Sequence, residues 1–148
     1  MPASAPRLFT IAAYPRKLLR LCEQEWQIAP AELLKATRLQ PEQLAKPELM
    51  VPLKDVFALF MKAQQLTAAP DLALRYARCL PPSSHGLLGT ATLTAATLHA
   101  VIDLYYEYMA TVAPFVLMHQ AERRDQLCLV LELFDDLPMD EAFVMTLL

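Results

Sequence analysis

The chain has 148 residues, 55% of them hydrophobic and 20% charged, and 13 basic against 16 acidic side chains give it a formal net charge of −3. A chain of this length is expected to form one domain around one core, and its apolar fraction exceeds the roughly 45–50% of an average domain, so the surplus calls for a ligand pocket or a subunit interface. The acidic balance and the lack of a basic run exclude a nucleic-acid arm, and this chain alone is not expected to grip DNA.

Cys22, Cys79 and Cys128 are far apart and odd in number, which argues against a disulfide framework and for a reducing, cytoplasmic setting. The apolar stretch at residues 8–14 is too short, and too soon followed by Pro15-Arg16-Lys17, to be a signal-peptide core. No uninterrupted apolar run approaches the roughly 20 residues of a membrane-spanning helix, so no membrane is expected as a partner.

Twelve prolines and two glycines punctuate the chain. Pro15, Pro30, Pro41, Pro52, Pro70 and Pro138 stand where helices would begin, a position at which the missing N–H costs nothing. The first helix is expected over residues 16–27, with Leu18, Leu21, Cys22 and Trp26 on one face. Glu25 falls inside that stripe, either as a rim position or as a polar contact to a ligand. Residues 30–37 and 41–45 read as two short helices joined by Arg38-Leu39-Gln40, superficially a helix-turn-helix. The second is acidic at its start, closed by Pro47 and too short to read base edges.

Residues 53–67 form the next expected helix, with Leu53, Val56, Phe57, Phe60 and Ala63 inward and Lys54, Asp55, Lys62 and Gln65 outward. Gln64 sits near the middle of its apolar stripe, as a satisfied structural amide or a ligand contact. A shorter helix over residues 70–78 leads into residues 81–86, whose composition reads as a loop. The strongest periodicity spans residues 95–112, where Leu98, Val101, Ile102, Tyr105, Met109 and Val112 make a continuous stripe. Thr94 is the expected N-cap and Tyr105 the expected core anchor.

After Pro114 the period changes from helical to extended, predicting a β-hairpin with strands at residues 115–119 and 127–133 and a polar connection between them. Leu127, Leu129, Leu131 and Leu133 share one face of the second strand. Helical spacing resumes over residues 138–148 through Met139, Phe143 and Leu147. The fold class is therefore α+β, mainly helical with a small antiparallel hairpin or sheet.

His85, His99 and His119 lack the spacing of a metal site, and no metal or cofactor is implied. The Gly86-Leu87-Leu88-Gly89 run is neither a dinucleotide fingerprint nor a P-loop. Asp135 and Asp136 are more simply read as helix initiation or solvation than as catalytic carboxylates. Cys128 with His119 would form a nucleophile–base pair across the hairpin, against the plainer reading of a small hydrophobe in a sheet.

Val51-Pro52-Leu53 opening a helix, Leu66-Thr67-Ala68-Ala69-Pro70-Asp71-Leu72-Ala73-Leu74 at its end, and His85-Gly86-Leu87-Leu88-Gly89 followed by Thr97-Leu98 and the Tyr105–Tyr108 helix together resemble one known domain. It is the helix-rich N-terminal effector domain of bacterial AraC/XylS-type transcription regulators, of the arabinose-binding-like class. Ala69 and Ala73 stand where that family more often has Asp and Gly. The resemblance implies that residues 1–148 are one effector-binding and oligomerisation domain, incomplete at its C-terminal side. It also implies that DNA is contacted only by a C-terminal region of two helix-turn-helix units that this chain lacks.

An effector pocket is expected between the helix at residues 53–67, the helix at residues 95–112 and the hairpin, lined by Phe60, Gln64, Tyr106, Met109, Met118 and His119. It suits a small, weakly polar organic molecule, because too few polar side chains cluster there to satisfy many hydroxyls or a phosphate. The apolar surplus and the open hairpin edges point to a homodimer. No enzymatic role is expected. The competing readings are a stand-alone protein-interaction module without a ligand and a small enzyme built on Cys128 and His119.

Overall fold

Short strands, proline-led helices and one long buried helix build the first part of the chain. The computed structural model describes residues 9–113, 115–123 and 126–133. The fold is α+β and mainly helical, with two antiparallel two-stranded sheets, and it divides into two units, one ending at Leu80 and the other beginning at Pro81.

In the first unit, β1 (Phe9–Ile11) pairs with β2 (Met50–Pro52), with Thr10 opposite Val51. The ladder continues as the Ala12 and Ala13 N–H groups donate to the carbonyls of Leu49 (2.8 Å) and Pro47 (2.9 Å), so the chain turns directly into α1 (Ala13–Trp26). Neither strand was legible in the sequence, because three residues carry no alternation signal. Helix α1 buries Pro15, Leu18, Leu19, Leu21 and Cys22. It ends at Gln27, whose left-handed backbone (φ 53°) reverses the chain.

Helices α2 (Pro30–Leu34) and α3 (Pro41–Leu44) each begin with proline and each bury one leucine, Leu33 and Leu44. At five and four residues they are too short to serve as recognition helices. Gln43 Oε1 accepts the Gln40 N–H at 2.9 Å, closing a capping box around Pro41.

Strand β2 runs straight into α4 (Leu53–Thr67), whose boundaries match the sequence expectation. Leu53, Val56, Phe57, Phe60 and Ala63 are buried as expected, and Leu59 is fully enclosed. Asp55 departs from the expectation: it is buried rather than outward, and its Oδ1 accepts the Arg38 backbone N–H at 3.2 Å. An acidic side chain in the first turn is favoured by the helix dipole, and here it also satisfies a donor of the α2–α3 connection. Helix α5 (Leu72–Arg78) brings Tyr76 edge-on to Phe60, with centroids 4.8 Å apart and planes at 86°. The Tyr76 hydroxyl donates to the Tyr14 carbonyl at 3.1 Å.

The second unit opens with a 3-10 turn (Pro82–His85) and α6 (Gly86–Thr94). The loop expected over residues 81–86 holds this 3-10 turn and gives way at Gly86 to a helix the sequence does not announce, because the apolar residues of α6 lie all round its circumference and leave no amphipathic period. Helix α7 spans Leu98–Val112, and its N-cap is Thr97 rather than Thr94, with the Thr97 hydroxyl accepting the Ala100 N–H at 3.1 Å. Thr94 instead ends α6, donating to the Ala91 carbonyl at 2.9 Å. No residue of α7 is fully buried, so Tyr105 is half-buried rather than a core anchor.

Strands β3 (Val116–Arg123) and β4 (Gln126–Leu133) pair antiparallel from Val116–Leu133 to Arg123–Gln126. They reach further into the polar connection than expected, since ladder bonds involve the backbone and do not require apolar side chains. The expected helix at residues 138–148, and Asp135 and Asp136, lie outside the described residues.

The glycines of the Gly86-Leu87-Leu88-Gly89 run have structural reasons. Gly86 has φ 64°, and a Cβ at Gly89 would overlap the Pro82 carbonyl oxygen. An unhindered helical Gly→Ala change gains about 1 kcal/mol. Gly89→Ala is instead expected to destabilise by roughly 1–3 kcal/mol through overpacking, and a rise in the urea midpoint would refute this close approach.

Candidate functional site

The six residues expected to line an effector pocket are shared between the two units. In the first, Phe60 is 3% exposed and committed to the core against Tyr76. Gln64 follows one turn later on α4 and is half-buried. In the second, Tyr106 and Met109 lie three residues apart on α7, hence on neighbouring positions of its surface, and α7 packs on β3. Tyr106 is 54% exposed and Met109 half-buried.

Met118 and His119 are consecutive on β3, so their side chains leave opposite faces of the hairpin. His119 shares its face with Leu117, Ala121, Cys128, Val130 and Glu132. Its Nε2 lies 3.3 Å from Glu132 Oε2. Met118 belongs to the other face, opposite Leu131 and beside buried Val116. The structure thus brings Tyr106 and Met109 together on α7, and divides Met118 from His119.

The same register bears on the Cys128–His119 pair. Cys128 stands directly opposite Ala121, which leaves it diagonal to His119, while the His119 Nε2 turns to Glu132 on the other diagonal. His99 is also engaged locally, 3.6 Å from Asp103 on the exposed side of α7. Burial holds the His85 imidazole below its ordinary pKa, toward the neutral form. Among the described residues no three His, Cys, Asp or Glu side chains gather as a metal site, and no helix is long and apolar enough to cross a membrane.

Glu25 proves to be a rim residue. It accepts from Arg75 Nη1 at 2.8 Å, Asp71 accepts from Arg75 Nε at 2.9 Å, and the Arg75 guanidinium stands 5.6 Å from the centre of the Trp26 ring. A feature missed in the sequence is an apolar groove of about 500 Å³ between α1, α2 and α3. Alanine and proline form much of its wall, and such residues carry no periodic signal.

The N-terminal arabinose-binding domain of AraC transcription regulators matches residues 28–148 of this chain. The chain belongs to that family. A curated relative, an ornithine utilization regulator of Pseudomonas aeruginosa, is 34% identical over 96 residues, a stretch covering 65% of this chain and 28% of the relative. The chain therefore spans well under half of the length of that regulator. The family is a class of transcription-regulator domain and not an enzyme class. Within this AraC-type domain, the run from His85 to Gly89 that carried the resemblance contains the close approach of Gly89 to the Pro82 carbonyl.

Cys22 shows the same inward character for a thiol. Burial on α1, reinforced by the Glu25 carboxylate one turn on, pushes its pKa from 9.0 up to about 11. Above the unfolded value the unfolded chain releases the proton while the native domain retains it, so the stabilising contribution is intact below pH 9 and lost toward pH 11. Alkaline unfolding monitored by circular dichroism should accordingly be shallower in Cys22→Ala than in the parent over that window. Parallel pH profiles would contradict the assignment.

Proposed function

We propose that this chain is the sensory and self-associating part of an AraC-type regulator, acting in the bacterial cytoplasm and joined in function to a DNA-binding domain outside these 148 residues. The observation that carries self-association is the distribution of exposed apolar side chains. Leu87, Leu93, Leu98, Tyr106, Tyr108, Leu117, Leu129 and Val130 are all large, exposed and in the second unit, with Leu87 91%, Leu98 75% and Leu93 65% exposed. Such a concentration exceeds what scattered surface hydrophobes explain, and a second copy is the occupant we assign to it.

The effector reading rests on family membership and on the half-open apolar surface around Met109. A small, weakly polar organic molecule is the ligand class, with Tyr106 and Met109 of α7 as its contacts. DNA binding and enzymatic activity are not assigned to this chain.

Sedimentation at micromolar concentration should give a homodimer. Leu93→Glu combined with Leu98→Glu should give a monomer of unchanged helicity, since both side chains are already exposed. A parent chain that sediments as a monomer would overturn the association.

A ligand that prefers the folded state raises stability by mass action. Thermal-shift screening of fatty acids, aromatic acids and amino acids should give a concentration-dependent hit that Met109→Trp weakens. Dimerisation without any such hit would favour the stand-alone interaction module.

A further inference from the structure

The groove of the first unit lies outside the pocket expected from the sequence. Its floor is apolar, with Leu19 of α1 and Leu44 of α3 both buried and Leu34 of α2 half-buried. Its rim is made of short side chains: Ala31 and Ala45 are exposed on opposite banks, and Pro30 and Pro41 open the two helices. Residues of this size cannot fold over to close the space between them. At about 500 Å³ the groove falls within the range that holds small organic ligands.

One charged side chain lines it. Arg16 stands one turn before Leu19 on the same face of α1. Among the described residues it takes part in none of the ion pairs, whereas Arg75 on the same unit is held by both Glu25 and Asp71. The residue one turn further along α1 is Arg20, another cation, so α1 itself offers Arg16 no carboxylate at that spacing. The carboxylates of the neighbouring short helices, Glu32 and Glu42, are exposed and do not line the groove.

An apolar trough with a single guanidinium is complementary to an apolar body carrying a single carboxylate. The planar fork of arginine matches a carboxylate in a bidentate pair. A phosphate or a sugar would bring more polar oxygens than one side chain can satisfy, at the cost of burying them unpaired.

We propose that the α1–α2–α3 groove binds a small organic monocarboxylate with an apolar chain or ring, its carboxylate on Arg16 and its body on Leu19, Leu34 and Leu44. The site is separate from the surface around Met109 and does not depend on the chain's role as a regulator.

Calorimetric titration at pH 7 with octanoate, and with 1-octanol as the uncharged counterpart, tests it. Octanoate should bind saturably at one site per chain, with 1-octanol weaker by at least about tenfold, the loss expected for a charge-assisted contact. Arg16→Met should remove that preference by bringing octanoate down to the level of 1-octanol. Ala31→Trp should abolish binding of both, and Ala45→Trp on the opposite bank gives the same readout if the first variant unfolds. Octanoate that binds no better than 1-octanol, or binds Arg16→Met as well as the parent, overturns the proposal.

Discussion

Helix α4 needs to be covered along nearly its whole length, and that requirement organises the first unit. Seven of its fifteen residues are buried, too wide an arc for one neighbour to cover. Helix α1, α2 and β2 each pack against it, and α5 closes the remaining side through the edge-to-face contact of Tyr76 with Phe60. The Tyr76 hydroxyl then reaches the Tyr14 carbonyl of α1. One side chain thereby fixes three helices, and burial keeps its phenol well above the usual pKa and neutral. The exposed Arg75 network spans α1 and α5 as well, but solvent screening makes such pairs minor contributors. The apolar contact holds the unit and the ion pairs decorate its edge.

The second unit is built on different terms. Leu88, Ala113 and Val116 are its buried apolar residues among those described, and α7 presents a long stripe that is only half covered. Its order comes largely from local devices: the Thr97 cap, the close approach of Gly89 to Pro82, and the hairpin ladder. Local bonds of this kind set geometry while contributing little burial. A segment so constructed keeps apolar surface available, as an association surface in a regulator would require.

How much of this was legible in the sequence depended on whether an element had one wet side. Helix α4 was read with its true limits because Pro52 marks its start and its apolar residues recur at helical spacing. Helix α6 was missed because it has no polar face, and Gly86 and Pro82 resemble loop punctuation whether or not a helix follows. The start of α7 was displaced because Thr94 and Thr97 are equally good caps by type; the Thr97 hydroxyl on Ala100 decides between them. The charge of Asp55 points outward, and nothing local reveals that the Arg38 N–H needs an acceptor. Met118 and His119 cannot share one wall, because a strand alternates its faces, a constraint the sequence itself carries wherever a strand is legible.

The α1–α2–α3 groove was invisible for a further reason: a site bounded by alanine and proline is defined by side chains that are missing, whereas pattern reading weighs those present. Helices α2 and α3 are also too short to persist alone, because forming a first turn is unfavourable without tertiary support. They are held by buried Leu33 and Leu44 and by the hydrogen bond from the Arg38 N–H to Asp55. That bond joins the α2–α3 connection to the first turn of α4. An occupant lying between Leu34 and Leu44 would therefore touch the least self-sufficient helices of the unit.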